Sequence, residues 1–371
     1  MNFFLERMKH NMFSFHDNNL SKNLIQRIRA KQVSLRFMHV CGTHQDTIMK
    51  HGLDTLLADC GITIIPGPGC PVCVTTPKEI EEMMVLAKKQ HLITTFGDML
   101  QVPGNTCSLH QLRTEGCHIH TVYSITDAIN LANKHKDKEI VFMAVGFETT
   151  APATAATLLS SPPENFSILC CHRLIPPALK AILEMGEINL DGFINPGHVS
   201  TIIGTHPYTF ISKTYHLPQV ITGFEPLDIL MAVWMLIKQR EQKEAFVENE
   251  YSRAVSEKGN RKALEAIHTV FESCDMAWRG FPNIPQSGLK LKQEFQLYDA
   301  REKFKEDLKE INDLSFTEPK GCRCGELLRG LISPEECPLF ATTCTPDNPI
   351  GPCMVSMEGS CHIAYKYKKN S

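Results

Sequence analysis

Nine of the fifteen cysteines in this 371-residue chain sit at spacings that could do chemistry. Cys70 and Cys73 stand two residues apart in Gly67-Pro-Gly-Cys-Pro-Val-Cys73. Such a pair can exchange disulfides, hold a metal or be incidental, and the spacing alone leaves all three open. Placed in a tight turn before a helix, its thiols would meet free backbone N–H groups and a helix dipole, which favour thiolate. Cys41-Gly-Thr-His44 adds a third thiol and an imidazole. Three thiolates with open coordination positions suit a soft, low-spin iron or zinc.

The other six follow Cys322-x-Cys324-x12-Cys337-x6-Cys344-x8-Cys353-x7-Cys361. Zinc would take four of them, but the paired Cys-x2-Cys knuckles of zinc sites are missing. An iron–sulfur cluster also takes four thiolates and tolerates irregular spacing, so the cluster is favoured. Two cysteines are then left for a dithiol or disulfide beside it. Cys60, Cys107, Cys117, Cys170, Cys171 and Cys274 read as core or surface thiols, because free cysteine packs as a small hydrophobe.

Composition narrows the classes. Hydrophobic residues make up 43% and charged residues 21%, as in an ordinary globular protein. A formal charge of −3 offers no footprint for nucleic acid or an anionic membrane. Residues 1–10 carry charges where a signal peptide needs an apolar run, and no stretch is long enough to span a bilayer. The expected location is cytoplasmic, where structural disulfides are rare, so the cysteines point to metal or redox chemistry.

The elements that must position these residues alternate. Apolar runs at 33–40, 62–65, 91–96, 118–123, 140–145, 166–171, 192–194 and 219–222 read as strands, with helical patterns between them. Thr76-Pro-Lys-Glu79 marks a helix start by its capping box and its proline at the first helical position, and Ser124–Asp127 opens another helix. The expected fold is α/β: two tandem parallel-sheet, Rossmann-like units at 33–138 and 139–238. Gly-Phe-Glu recurs after a strand at 146 and at 223 in the second unit. Residues 239–312 read as charged and largely helical, including 297–311, and the run from Arg301 to Glu310 as a solvated face. The terminal segment has too little apolar periodicity for a core of its own. Residues 1–32 and 239–371 together are expected to form a third, helical and irregular domain carrying the cluster.

Parallel sheets bind ligands at the carboxyl ends of their strands. Cys41/His44, Cys70/Cys73, Asp98, Glu148, His198 and Glu225 all fall there. Each alone reads as a turn or cap residue; together they predict a shared cleft between the units. No dinucleotide fingerprint, Walker A motif or Cys-x3-Cys-x2-Cys run is present.

Seven motifs carry a resemblance: Cys41-Gly-Thr-His-Gln, Gly67-Pro-Gly-Cys-Pro-Val-Cys, Thr95-Phe-Gly-Asp-Met, Gly146-Phe-Glu-Thr-Thr-Ala-Pro, Asn195-Pro-Gly-His-Val-Ser, Gly223-Phe-Glu-Pro and the terminal Cys324-Gly-Glu…Cys344-Thr-Pro…Gly351-Pro-Cys-Met-Val-Ser-Met-Glu-Gly-Ser-Cys. From about residue 36 to 361 the chain resembles the HypD family of nickel–iron hydrogenase maturation proteins. Gln45 stands where many relatives carry Glu. The resemblance implies a scaffold for assembling an Fe(CN)2CO group, an Fe(II) carrying CN and CO ligands, for the hydrogenase large subunit. It implies a HypC-type chaperone whose N-terminal cysteine shares the iron. It also implies a HypE-type cyanide donor, thiocyanate-bearing and fed by HypF. By the same resemblance Cys41, Cys70 and Cys73 are iron-site and redox thiols. The terminal segment carries a 4Fe–4S cluster with a nearby dithiol, as in ferredoxin–thioredoxin reductase, where the second cysteine of the Cys-x-Cys pair is the redox one. The assignment is then Cys322, Cys337, Cys344 and Cys361 as ligands, with Cys324 and Cys353 as the dithiol.

The chemistry is coherent: breaking an S–CN bond to leave cyanide on iron takes two electrons, a cluster passes one at a time, and dithiols store two. His44, Asp98 and Glu148 have side chains suited to positioning the cyanide donor or managing protons near the iron. The rivals are a cluster-dependent protein disulfide reductase exchanging at Cys70/Cys73 and a structural zinc protein with an interaction cleft.

Overall fold

The structure is a computed structural model that describes residues 18–105 and 107–368. The N-terminal part of the expected third domain, residues 1–17, lies outside the described residues.

The eight apolar runs all extend, as β1 (Leu35–His39), β2 (Ile62–Pro66), β3 (Leu92–Thr95), β4 (Ile119–Thr121), β5 (Ile140–Gly146), β6 (Phe166–His172), β7 (Gly192–Pro196) and β8 (Gln219–Thr222). A further short strand, β9 (Val247–Asn249), follows. They form two wholly parallel sheets, ordered β2-β1-β7-β8-β9 and β4-β3-β5-β6. The fold is α/β with helices flanking both sheets.

The chain does not, however, build one sheet and then the other along the expected 33–138 and 139–238 units. It lays down β1 and β2, leaves to make the whole second sheet from β3 to β6, and returns with β7 to pair beside β1. Every one of these strands is an apolar run between helices, and local pattern does not say which neighbour such a strand will choose. The two Gly-Phe-Glu turns consequently end strands of different sheets, β5 and β8.

Side-chain alternation makes the packing. Val141, Met143 and Val145 of β5 join Met38, Val40, Phe193 and Ile221 in one core between the sheets. Ile140, Phe142 and Ala144 point the other way, and Phe37, Ile194 and Val220 face the outer side of the first sheet. The predicted helix starts form. Thr76 and Glu79 bond reciprocally ahead of the helix Pro77–Lys88, and Asp127 accepts from the Ser124 N–H ahead of the helix Ile125–Lys134.

The segments expected to make a third domain are distributed over the first two. Leu24 and Ile28 of the helix Asn18–Arg29 pack with Phe37. Residues 239–312 are not largely helical. An antiparallel hairpin of β10 (Phe271–Ala277) and β11 (Asn283–Leu291) covers the second sheet through Phe271, Leu289 and Leu291. The stretch 297–311 breaks into short separate helical pieces, two of them 3-10. Its first cation is also no solvated charge: Arg301 donates to Glu82 (2.7 Å) and to the Cys170 carbonyl (2.7 Å). Cys324, Leu327, Leu328 and Cys353 of the terminal segment enter the central core. Lacking a core of its own, that segment borrows one. Among the described residues no helix is long and apolar enough to cross a membrane.

Candidate metal and thiol site

β1 delivers Cys41 as the N-cap of the helix Gly42–Lys50, and β2 delivers the Gly67–Cys73 turn beside it. Two glycines permit this approach. A Cβ on Gly69 would lie 2.2 Å from the Cys41 nitrogen, and one on Gly42 would lie 2.5 Å from the Glu358 Cβ. Any side chain at these positions would push the turn off Cys41 or expel the terminal segment.

Cys70 and Cys73 are joined as a disulfide, Cα atoms 5.2 Å apart. Cys73 lies within one extra helical turn, Pro71–Val74, ahead of the predicted helix at Pro77 and capped by the Cys70 sulfur accepting from the Cys73 N–H (3.1 Å). The expected thiolates are thus absent from this pair in its oxidised form. Burial pushes the Cys41 thiol up to about 11, with the Glu358 charge adding and the His44 backbone N–H partly offsetting. Burial outweighs the helix terminus here.

Cys41, Cys70 and Cys73 line one small cavity together with His39, Gln45, Cys353, Glu358 and Ser360. Cys353 also lines a second cavity, shared with Cys322, Cys324, Cys337, Cys344 and Cys361. All six terminal cysteines therefore meet, and one of them faces both cavities. The sulfurs of Cys324 and Cys353 are 2.7 Å apart. That contact, ahead of burial, raises the Cys353 thiol well above its usual range; burial, then its cysteine neighbours, does the same to Cys361. Cys322 is pushed up to about 12 by burial and by Cys324. Among the described residues no three His, Cys, Asp or Glu side chains are gathered closely enough to hold a single metal ion.

The shared cleft of six strand ends divides. His44 lies outside the cavity lining: its Nε2 donates to the Gly223 carbonyl (3.0 Å), tying the ends of β1 and β8 together. Burial drives its pKa down to about 3, so it is neutral. Asp98 reaches the cavity through Ser356, whose hydroxyl donates to it (3.0 Å) and accepts from the Glu358 N–H (3.2 Å). His198 stacks on Phe224, and Glu225 caps the helix Pro226–Gln242. Glu148 belongs to a different cavity, of about 890 Å³, among Leu174, Ile203, Ile267 and Phe271.

The HypD profile, described as the hydrogenase formation hypA family, matches residues 19–368. The chain belongs to the HypD family. It is 48% identical over 364 residues to a Methanocaldococcus jannaschii protein named for hydrogenase expression/formation, covering 96% of this chain and 100% of that one. It is 42% identical over 368 residues to the hydrogenase maturation factor HypD2 of Bradyrhizobium diazoefficiens, covering 95% of each. It is 40% identical over 368 residues to HypD of Cupriavidus necator, covering 95% of this chain and 96% of that one. The motifs on which the resemblance rested thus lie in a member of that family of hydrogenase maturation factors.

Several cavity residues of this HypD chain escaped the reading of the sequence. His39 looked like strand interior, since no pattern separates a histidine facing a cavity from one facing a core. Burial lowers its pKa to about 4. Glu358 and Ser360 were within a quoted motif, but only the fold sets them against Cys41.

Glu148 yields a prediction of its own. One carboxyl oxygen accepts from the Ile175 N–H (2.9 Å) and the other has no partner. Burial pushes the group up from 4.5 to about 7. Between those values the folded protein binds more protons than the unfolded one, so this group makes stability fall as pH rises through the window. Glu148→Gln removes the loss. Its thermal midpoint relative to the parent should rise between about pH 5 and pH 8, with a difference approaching about 3 kcal/mol at the alkaline end.

Proposed function

We propose that this chain is the scaffold and redox protein on which the Fe(CN)2CO group of nickel–iron hydrogenase is assembled. Cys41, Cys70 and Cys73 form the site of the iron cargo, with Cys70 and Cys73 serving there as the redox pair, and the terminal cysteines supply electrons. The observation that carries this reading is the position of Cys353, which lines the iron-site cavity and the six-cysteine cavity while touching Cys324.

The donor set supports a cluster in the second cavity. A cubane spreads its four thiolate ligands around a core several atoms wide. Six cysteines around one cavity at irregular spacing, without the paired Cys-x2-Cys knuckles of zinc sites, suit such a core better than zinc. Cys324 and Cys353, in mutual contact, make the natural dithiol, leaving Cys322, Cys337, Cys344 and Cys361 as ligands. Bound there, a 4Fe–4S cluster would supply electrons singly.

The residues then do the following. Two electrons and two protons open the Cys70–Cys73 disulfide to a dithiol. One of its thiolates attacks the sulfur of a thiocyanate, R–S–CN, forming a mixed disulfide and releasing cyanide to the iron. The second thiol displaces R–SH and restores the disulfide, so the two electrons end in the cleaved S–CN bond. The donor is a HypE-type partner, and a HypC-type chaperone completes the iron's ligands; both belong among the maturation proteins. The thiols fit a reducing compartment such as the cytoplasm.

Infrared spectroscopy of anaerobically purified protein with its chaperone tests this. Cyanide and carbonyl stretching bands are expected, and they should vanish in Cys41→Ser. A reducible cluster without such bands would favour a disulfide reductase, and bound zinc without iron would sink both.

A further inference from the structure

We infer that the side-chain amide of Gln45 is a hydrogen-bond donor to an anionic diatomic ligand of the iron cargo, and that His39 fixes which end of that amide faces the iron. This rests on the proposed iron-assembly reading and adds two residues to it.

Gln45 follows Cys41 by one helical turn, its backbone N–H donating to the Cys41 carbonyl (3.2 Å). Its side chain therefore stands over the same end of the helix as the thiol. It is 7% exposed, and the space it lines is the one lined by Cys41, Cys70 and Cys73. An amide can present either its oxygen or its NH2 to such a cavity, and the two are chemically opposite.

The hydrogen bonds around His39 decide between them. The Cys41 N–H donates to His39 Nδ1 (3.5 Å), so that nitrogen is the acceptor and the ring proton sits on Nε2. Nε2 lies 2.6 Å from Gln45 Oε1 and donates to it. The amide oxygen is thereby consumed. Among the described residues the NH2 meets no acceptor, and it is not among the polar atoms sealed from solvent without a partner. Gln45 lines the thiol cavity, so that is the space into which its NH2 can turn.

That cavity is otherwise rich in groups that are anionic or become so: four cysteines and the Glu358 carboxyl. A cyanide bound to iron carries negative charge on its outward nitrogen and needs donors, whereas a carbonyl oxygen is a poor acceptor. A neutral amide supplies a donor without a charge to pair with the thiolates. The geometry thus favours cyanide as the ligand that Gln45 meets.

Infrared spectra of the chaperone-bound protein purified anaerobically, as the parent and as Gln45→Leu, provide the test. Gln45→Leu should keep the cyanide and carbonyl bands, with one cyanide band displaced, the other unmoved and the carbonyl band lowered as electron density returns to iron. His39→Leu should broaden the same cyanide band, because the amide is no longer held in one orientation. In the parent, transfer to D2O should displace that band more than its companion. Parent and Gln45→Leu bands at identical positions would overturn the inference, as would cyanide bands that respond equally to D2O. Absence of all bands from the parent would instead overturn the iron-assembly reading beneath it.

Discussion

Arg173→Leu is expected to cost about 3–5 kcal/mol of stability, the penalty for stranding one member of a buried ion pair. Arg173 and Glu79 are almost wholly buried, at 1% and 6% exposure, and their charged atoms are 2.6 Å apart. The guanidinium also donates to the carbonyls of Cys171 (3.0 Å) and Ala277 (2.8 Å), so one side chain joins the end of β6, the hairpin and the helix Pro77–Lys88. Burial alone would raise the Glu79 carboxyl. The charges of Arg173 and Arg301 outweigh it and hold the group below its usual value. Glu79 therefore contributes stability above the ordinary carboxylate range, and that contribution is lost as pH falls through its depressed pKa. Without Arg173 burial would prevail, and the stability loss would move towards neutral pH. For a chain of this length the deficit corresponds to a thermal midpoint lower by about 4–6 °C. The double variant Arg173→Leu, Glu79→Gln should recover much of it, because the glutamine still accepts the Thr76 N–H but carries no unpaired charge. A double variant no more stable than Arg173→Leu would show that packing, not charge, is the cause.

That network was invisible beforehand. Glu79 was legible only as the second half of a capping box, a local pattern. Its partner lies 94 residues away on an element whose neighbours depend on strand order. The same division runs through the molecule. Local features came through from the residues alone: eight strands, the capped helices, the placement of cysteines at strand ends. Features that depend on which parallel strand pairs with which did not, so the sheets do not follow the expected bounds 33–138 and 139–238: β7 returns to pair with β1. Phe271–Ala277 and Asn283–Leu291 were absorbed into a charged helical region because the first strand is mostly exposed and the second buries a serine and a glycine among its few apolar residues, so neither carries much apolar signal. In the site, the gathering of the six terminal cysteines could be expected from residue type and spacing. The orientation of His44 away from the cavity, and of Glu148 into another, was not, because a strand end fixes where a residue begins and not where its side chain goes.

Cys353→Ser is expected to separate cluster chemistry from iron assembly. If the six-cysteine cavity holds a cluster on Cys322, Cys337, Cys344 and Cys361, the variant retains all four ligands. Its cluster should form and accept an electron as in the parent. What it loses is the sulfur common to both cavities. Serine fills nearly the same space and keeps a hydroxyl beside Cys324, so packing is conserved, but it cannot form or exchange a disulfide. Electrons should then stop at the cluster. The Cys70–Cys73 disulfide should remain closed, and cyanide delivery should fall to background. Cys324→Ser should behave in the same way, since its sulfur is the 2.7 Å partner that lets the pair store two electrons. Cys361→Ser should differ by losing the cluster itself. Thiol labelling of Cys70 and Cys73 after anaerobic reduction reads the outcome directly. Equal labelling in parent and Cys353→Ser would mean that electrons reach the disulfide by another route. The small cavity around Cys41 would then be an iron site without its own wired reductant. Labelling lost in Cys353→Ser and Cys324→Ser, with the cluster spectrum unchanged, would make the contact between these two sulfurs the step at which single electrons become a pair.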